Sequence, residues 1–178
     1  MNLYEATVPV LTKMLRNVDR WLDIAVAHAE AKKFDPIVLL QSRLAPNQYP
    51  LMHQIQSACD QAKFTVAKLC GKAPPDHPDT EQTLAEIRAR IQTVVDYLAS
   101  YQLDDFAGAE DRPCSHAWMD GQHLRGGDYL DHFALPNLYF HLTTAYAILR
   151  HNGVELGKTD FIGSLPFQPN AAPSLADR

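Results

Sequence analysis

The sequence predicts an all-α protein in which four long helices pack around one hydrophobic core. Apolar residues recur every three or four positions over four separate stretches, which is the spacing of amphipathic helices. Proline and glycine residues fall between these stretches, where helices end. The chain has 178 residues, of which 46% are apolar and 21% charged, so it is large enough to fold as one compact domain without disulfides or a structural metal.

The first helix is predicted over Leu3–Ala31, with Pro9 falling inside its first turns. Residues 34–50 contain three prolines, which break any continuous helix. A short helix around Ile37–Gln41 is expected within this connector. The second long helix should begin near Pro50 and end at Gly71.

The third long helix is predicted from about Thr80 to Ser100. Asp79 is expected to cap it, because Gln82 follows three residues later and the two can cap reciprocally. Residues 102–127 have no sustained period and contain four glycines, so they are predicted to form an irregular crossover with a short hairpin around Asp120–Gly121. Segments of this length often cover a functional site.

The fourth long helix is predicted to start at Pro136, after a short turn over residues 128–133, and to end at Gly153. Residues 1–168 are expected to form a single domain, and 169–178 a flexible tail. Four apolar side chains near the end of the domain are expected to pack on its body: Phe161, Ile162, Leu165 and Phe167.

Charge and targeting features exclude several classes of function. The formal net charge is −5, which leaves no broad cationic surface for nucleic acid or anionic lipid. No apolar run is long enough to span a membrane, and the N-terminal residues do not resemble a signal peptide, so a cytoplasmic protein is expected. The three cysteines form no CxxC pair and are expected to be reduced.

Two of the eight histidines fall where a site inside a helical bundle could form. His53 lies on the second long helix and His141 on the fourth, where Asn137 precedes it by one turn on the same face. Two imidazoles and an amide oxygen could hold one divalent ion and leave positions open for water or substrate. The same histidines could instead be hydrogen-bonded core residues. His132, just before the fourth helix, is the expected substitute ligand.

The fourth helix also carries a family resemblance. Its segment PNLYFHLTTAYAILRHNGV resembles the last helix of the DinB/YfiT-like metalloenzyme superfamily, where a His-xxx-His pair is followed by an arginine and a glycine. His141 matches the second histidine of that pair, and Asn137 stands where the first would be. SRLAP, YPLMHQIQSACDQAK, DFAGAE and LGKTDFIGSL further resemble a bacterial subgroup that is classed as a domain of unknown function.

The resemblance implies an up-down four-helix bundle with a long irregular crossover between helices three and four, and a homodimer. It also implies a divalent ion, nickel or zinc, and thiol-dependent transferase or isomerase activity among the relatives. His53 lies in the helix that supplies the third ligand. Because Asn137 replaces one histidine, the activity does not transfer with the fold.

Two functions are therefore compatible with the sequence. The first is a metal-dependent enzyme, a hydrolase or a thiol-dependent transferase or isomerase, in which His53, Asn137 and His141 hold the ion. Arg43, Asp60 and Tyr139 would then orient ligands or substrate. The second is a non-catalytic protein without metal, a dimeric small-molecule binder or scaffold. No nucleophile elbow, P-loop or dinucleotide motif is present.

Overall fold

A computed structural model describes residues 2–168; the tail predicted over 169–178 lies outside the described residues. The structure is mostly helical with little sheet, so the predicted all-α class is confirmed. The helices are α1 (Leu3–Lys32), α2 (Ile37–Gln41), α3 (Leu51–Leu69), α4 (Leu84–Ala99), α5 (Gly126–Tyr129), α6 (Leu135–His151) and α7 (Lys158–Ile162). Two short strands, β1 (Pro113–Cys114) and β2 (Leu124–Arg125), pair antiparallel.

The four long helices α1, α3, α4 and α6 share one hydrophobic core. α3 packs against the other three, and α1 also packs along α4. Their apolar stripes bury large side chains such as Trp21, Ile55, Leu98 and Leu142, each no more than 1% exposed. None of the helices within residues 2–168 is both long and apolar enough to cross a membrane.

The start of α4 differs from the prediction. Thr83 is the N-cap, and it exchanges hydrogen bonds with Glu86 in a reciprocal capping box. Asp79, the predicted cap, instead forms an ion pair with Arg90 at 2.9 Å. Residues 80–82 therefore lie outside the helix, because Thr83 and Glu86 offer the same capping pattern and the carboxylate of Asp79 has a cationic partner.

The segment before α6 is partly helical and partly irregular, as expected. Asp120 and Gly121 have positive φ angles, 48° and 79°, and lie between β1 and β2. The prediction of a short hairpin is only partly right, because residues 115–123 separate the two strands. They include a turn of 3₁₀-helix, Ala117–Met119, that presents Trp118 to solvent.

The last long helix, α6, begins at Leu135, one residue before the predicted start at Pro136. The chain is already helical at Gly126, and a π-helical turn over Leu130–Ala134 joins α5 to α6 without a break. Pro136 lies in the first turn of α6. A proline ring clashes with the carbonyl four residues earlier in an α-helix, and the wider turn relieves that clash. The predicted end is confirmed, since Gly153 has a φ of 85°.

One of the four apolar side chains near the end of the domain packs as predicted. The ring of Phe161 stacks on Trp21 with centroids 5.5 Å apart, and the Trp21 indole N–H donates to the carbonyl of Asp160. Ile162, Leu165 and Phe167 are exposed, so the prediction was wrong for them. Gly163, with a φ of 69°, turns the chain away from the core immediately after α7.

Candidate functional site

The candidate site lies where α3 faces α6, and its best-defined member is His141. The Nδ1 atom of His141 is 2.8 Å from Oε1 of Gln54, which is buried on α3. The Nε2 amide of Gln54 donates to the backbone carbonyl of Tyr49. This second bond fixes the orientation of the Gln54 amide, so its oxygen faces the imidazole.

The glutamine oxygen can only accept a hydrogen bond, so it selects the His141 tautomer that carries its proton on Nδ1. Burial lowers the pKa of His141, and the nearby His53 lowers it further, so the ring is neutral near neutral pH. Its Nε2 atom has no hydrogen-bond partner among the described residues and is not fully buried. Nε2 therefore presents a lone pair to solvent, as a metal-ligating histidine must.

Asn137 is held by a second glutamine of α3. Its Nδ2 amide donates to Oε1 of Gln61 at 2.6 Å, and Nε2 of Gln61 donates to the hydroxyl of Thr65. The amide nitrogen of Asn137 is thereby occupied on the α3 side. Its oxygen has no partner among the described residues and is not fully buried, so it remains available to a ligand.

His53 is the third predicted member and lies near the beginning of α3. Its ring lies against Tyr49, with centroids 3.9 Å apart, and is partly exposed. The two imidazoles are close enough for His53 to lower the pKa of His141. No hydrogen bond or ring contact joins the two histidines among the described residues, and Asn137 lies one turn away from His141 along α6.

The donor set is unusual for a metal centre. Within residues 2–168 no three His, Cys, Asp or Glu side chains come together as a metal-binding group. Any ion here would have two imidazoles and a neutral amide oxygen. The oriented Nε2 lone pair of His141 fits such an ion, and the amide makes the site weaker than one with three imidazoles.

The four other residues predicted near the site lie in different surroundings. Arg43 is exposed and donates to the carbonyl of Pro46. His132 is exposed in the π-helical turn, and Tyr139 is 37% exposed on α6. No hydrogen bond or ring contact joins these three to His53 or His141 among the described residues.

Asp60 belongs to a separate ionic cluster between α3 and α4. Its carboxylate binds Lys63 at 2.8 Å and Arg90 at 2.9 Å. Arg90 is 3% exposed and also pairs with Asp79 and Glu81, so it ties the loop before α4 to both helices. The carboxylate of Asp60 is thus occupied by a structural network.

The cysteines do not add a nucleophile to the site. All three are buried and free. Burial raises the pKa of Cys59 to about 12 and that of Cys70 to about 11, so both thiols stay protonated. Buried, protonated thiols are poor nucleophiles, and the reduced state of the cysteines stays a prediction.

Sequence reasoning missed Gln54 and Gln61. They lie seven residues apart, which places them on one face of α3, among the apolar positions of its buried stripe. A buried amide needs a partner, and two of them at this spacing indicate polar groups on the facing helix. That signal was present in the sequence and would have pointed to the same pair, Asn137 and His141, without any metal.

The chain is similar to known proteins over most of its length. The family model described as Domain of unknown function (DUF1993) matches residues 3–162. The crystal structure of a DinB family member protein from Shewanella denitrificans is 48% identical, with a TM-score of 0.91. The match covers 94% of this chain and 95% of that one. A search of the curated proteins finds no match.

Proposed function

The chain belongs to the DinB family, in the group described as Domain of unknown function (DUF1993), and on this premise we propose that it is a metal-dependent enzyme. His53, His141 and the amide oxygen of Asn137 would hold one divalent ion, nickel or zinc. The single observation that carries the proposal is the hydrogen bond from His141 to Gln54, which leaves Nε2 unprotonated and accessible.

The protein's own residues would prepare this site before any ion arrives. Gln54, anchored on the Tyr49 carbonyl, keeps the His141 ring in one tautomer and one orientation. The ring of Tyr49 restricts His53 from the other side. Gln61 holds the amide nitrogen of Asn137 and so directs its oxygen away from α3. Such supporting contacts typically change metal affinity by about 10-fold to 100-fold.

A bound divalent ion would lower the pKa of a water molecule or thiol and so supply a nucleophile near neutral pH. This is the chemistry of hydrolases and of thiol-dependent transferases or isomerases. Arg43 and Tyr139, both exposed, are proposed to contact a substrate, and His132 to substitute for a missing ligand.

A second function is favoured by Asn137 itself. An amide is a poor ligand for zinc or nickel, and the Asn137–Gln61–Thr65 hydrogen bonds form a self-sufficient polar network. On this alternative the protein is a non-catalytic small-molecule binder or scaffold that uses the same polar groups without metal.

Metal binding separates the two functions. Protein purified without an affinity tag is titrated with nickel and with zinc by calorimetry, and its melting temperature is measured with each ion. The enzyme proposal expects one ion per chain. An ion present at 100 times its Kd should add about 2.7 kcal/mol to the free energy of unfolding.

Two variants test whether His53 and His141 are the residues that bind the ion. The double variant His53→Ala/His141→Ala should lose binding, whereas His151→Ala, an exposed histidine at the end of α6, should bind like the wild type. Binding that persists in the double variant, or its absence in the wild type, contradicts the metal proposal and leaves the non-catalytic function.

The arrangement of the long helices and the oligomeric state are also proposals. We propose that the four long helices form an up-down bundle, since Gln54 pairs with His141 while Gln61 pairs with Asn137, as expected if α3 and α6 run antiparallel. The resemblance further suggests a homodimer, and the N-terminal residues, which do not resemble a signal peptide, favour the cytoplasm. Light scattering during size-exclusion chromatography tests the dimer directly.

A further inference from the structure

A second cleft lies beside α3, away from the residues described above. It has a volume of about 610 Å³ and is formed by the last turns of α3, the loop that follows it and the segment between β1 and β2. Its lining is aromatic, basic and polar, and includes Phe64, Lys68, Pro74, Ser115, His116 and His123. Neither of the proposed functions uses this cleft.

The charge of the cleft contrasts with that of the whole chain. No carboxylate is among its described lining residues, although the chain carries a formal net charge of −5. Lys68 is its one permanently charged lining group within the described residues. The Lys68 ammonium donates to the carbonyl of Ser115, which leaves two further protons for another acceptor. The cleft therefore favours an anion.

The inner wall of the cleft is aromatic. The ring of His116 lies nearly parallel to Trp118, at an interplanar angle of 15°, and edge-on to Phe64. Phe133 packs against both His116 and Trp118. Trp118 is 65% exposed, which is unusual for the largest apolar side chain. Of these rings, His116 and Phe64 line the cleft and offer flat surfaces on which a planar group can stack, while Trp118 and Phe133 pack on His116 outside the lining.

His116 is fixed and neutral. Its Nε2 atom lies 3.2 Å from the hydroxyl of Tyr129, a residue with no exposed surface. Burial, and secondarily the charge of Lys68, lower the pKa of His116 to about 4. Near neutral pH the ring is therefore an uncharged part of the aromatic wall, and Lys68 alone supplies the permanent positive charge.

We propose that this cleft is a binding site for a small aromatic carboxylate. The carboxylate pairs with the Lys68 ammonium, and the planar ring stacks on the wall formed by His116 and Phe64. The site is separate from the proposed metal centre, because no hydrogen bond, ion pair or ring contact joins its described residues to His53, Asn137 or His141.

Benzoate and phenylacetate are the probes, and Trp118 reports their binding. The chain has two tryptophans, and the other, Trp21, is 1% exposed in the core. The full chain is titrated with each acid while intrinsic fluorescence is recorded, and calorimetry is run in parallel. Benzamide, which has the same ring without the charge, is the matched ligand. We expect saturable binding of the acids and at least about tenfold weaker binding of benzamide, the cost of losing a charge-assisted hydrogen bond.

Lys68→Gln removes the charge and keeps a group able to donate to Ser115. It should weaken benzoate binding by about tenfold or more, and Lys158→Gln, an exposed lysine on α7, should not. Two results overturn the proposal. One is no saturable response to either acid by both methods up to about 10 mM; the other is equal binding of benzoate and benzamide by the wild type, which does not depend on any variant folding.

Discussion

The neutrality of His116 predicts how stability changes with pH. In the unfolded chain its pKa returns to about 6.5, whereas burial lowers it to about 4 in the folded protein. Between these values the unfolded state binds the proton more readily, so acidification destabilises the fold. The contribution of neutral His116 is fully present above pH 6.5 and is lost progressively as the pH falls to 4.

The size of the effect follows from the same two pKa values. At about 1.4 kcal/mol per pH unit, their separation sets an upper bound of about 3 kcal/mol. Part of the ring still reaches solvent, which screens the charge, so we expect about 1 to 2 kcal/mol in practice.

Urea unfolding of the wild type and of His116→Gln, at about pH 7.5 and about pH 4.5, measures this difference. Glutamine keeps a polar group near Tyr129 but does not titrate. The variant is less stable at neutral pH because it loses aromatic contacts, yet its stability should fall less on acidification. His151→Gln, at an exposed histidine, should retain the wild-type pH dependence. Identical pH dependence in the wild type and His116→Gln would refute the reasoning.

Three further outcomes are expected. Asn137→His replaces the weak ligand with an imidazole and should tighten nickel or zinc binding by about tenfold or more in calorimetry; unchanged affinity would mean that position 137 does not reach the ion. Arg90→Met leaves Asp60 and Glu81 without their shared partner and should cost about 3 kcal/mol in urea unfolding, whereas Arg88→Met, which removes only part-exposed pairs with Asp19 and Asp23, should cost less than about 1 kcal/mol. Gly126→Ala should lower the melting temperature far more than Gly127→Ala, because a Cβ at 126 would collide with the backbone carbonyl of Ala109 and one at 127 only with the flexible side chain of Glu110.

Much of the fold could be predicted because its helices follow simple local rules. The bounds of α2 were predicted to the residue, since prolines delimit it, and α1 was predicted to within one residue at its end. The start of α4 was predicted too early for a reason beyond local sequence. Asp79 and Thr83 both offer a cap, and the distant Arg90 engages the first of them.

The residues of the candidate site stay a prediction, and their hydrogen-bond partners lay beyond the sequence. The positions of His141 and Asn137 on one helix face follow from their spacing. The spacing could not show that Gln54 and Gln61 already occupy Nδ1 of His141 and the amide nitrogen of Asn137. Those partners are 87 and 76 residues away along the chain, and only tertiary packing brings them together.

The π-helical turn over Leu130–Ala134 also sets the directions in which Tyr129 and Asn137 point relative to each other. Eight residues separate Tyr129 from Asn137, and at about 100° per residue an uninterrupted α-helix would turn their side chains about 80° apart. The wider turn absorbs about one residue's rotation, which brings the two side chains almost into line. Asn137 bonds Gln61, and hydrogen bonding with Gln61 and Thr65 partly offsets the effect of burial on the pKa of Tyr129. Deleting one residue from this turn would therefore give a regular α-helix in which Tyr129 and Asn137 keep nearly the same relative direction. Converting the turn to α-helix without a deletion would instead rotate Tyr129, and with it the contact to His116, by about 100°.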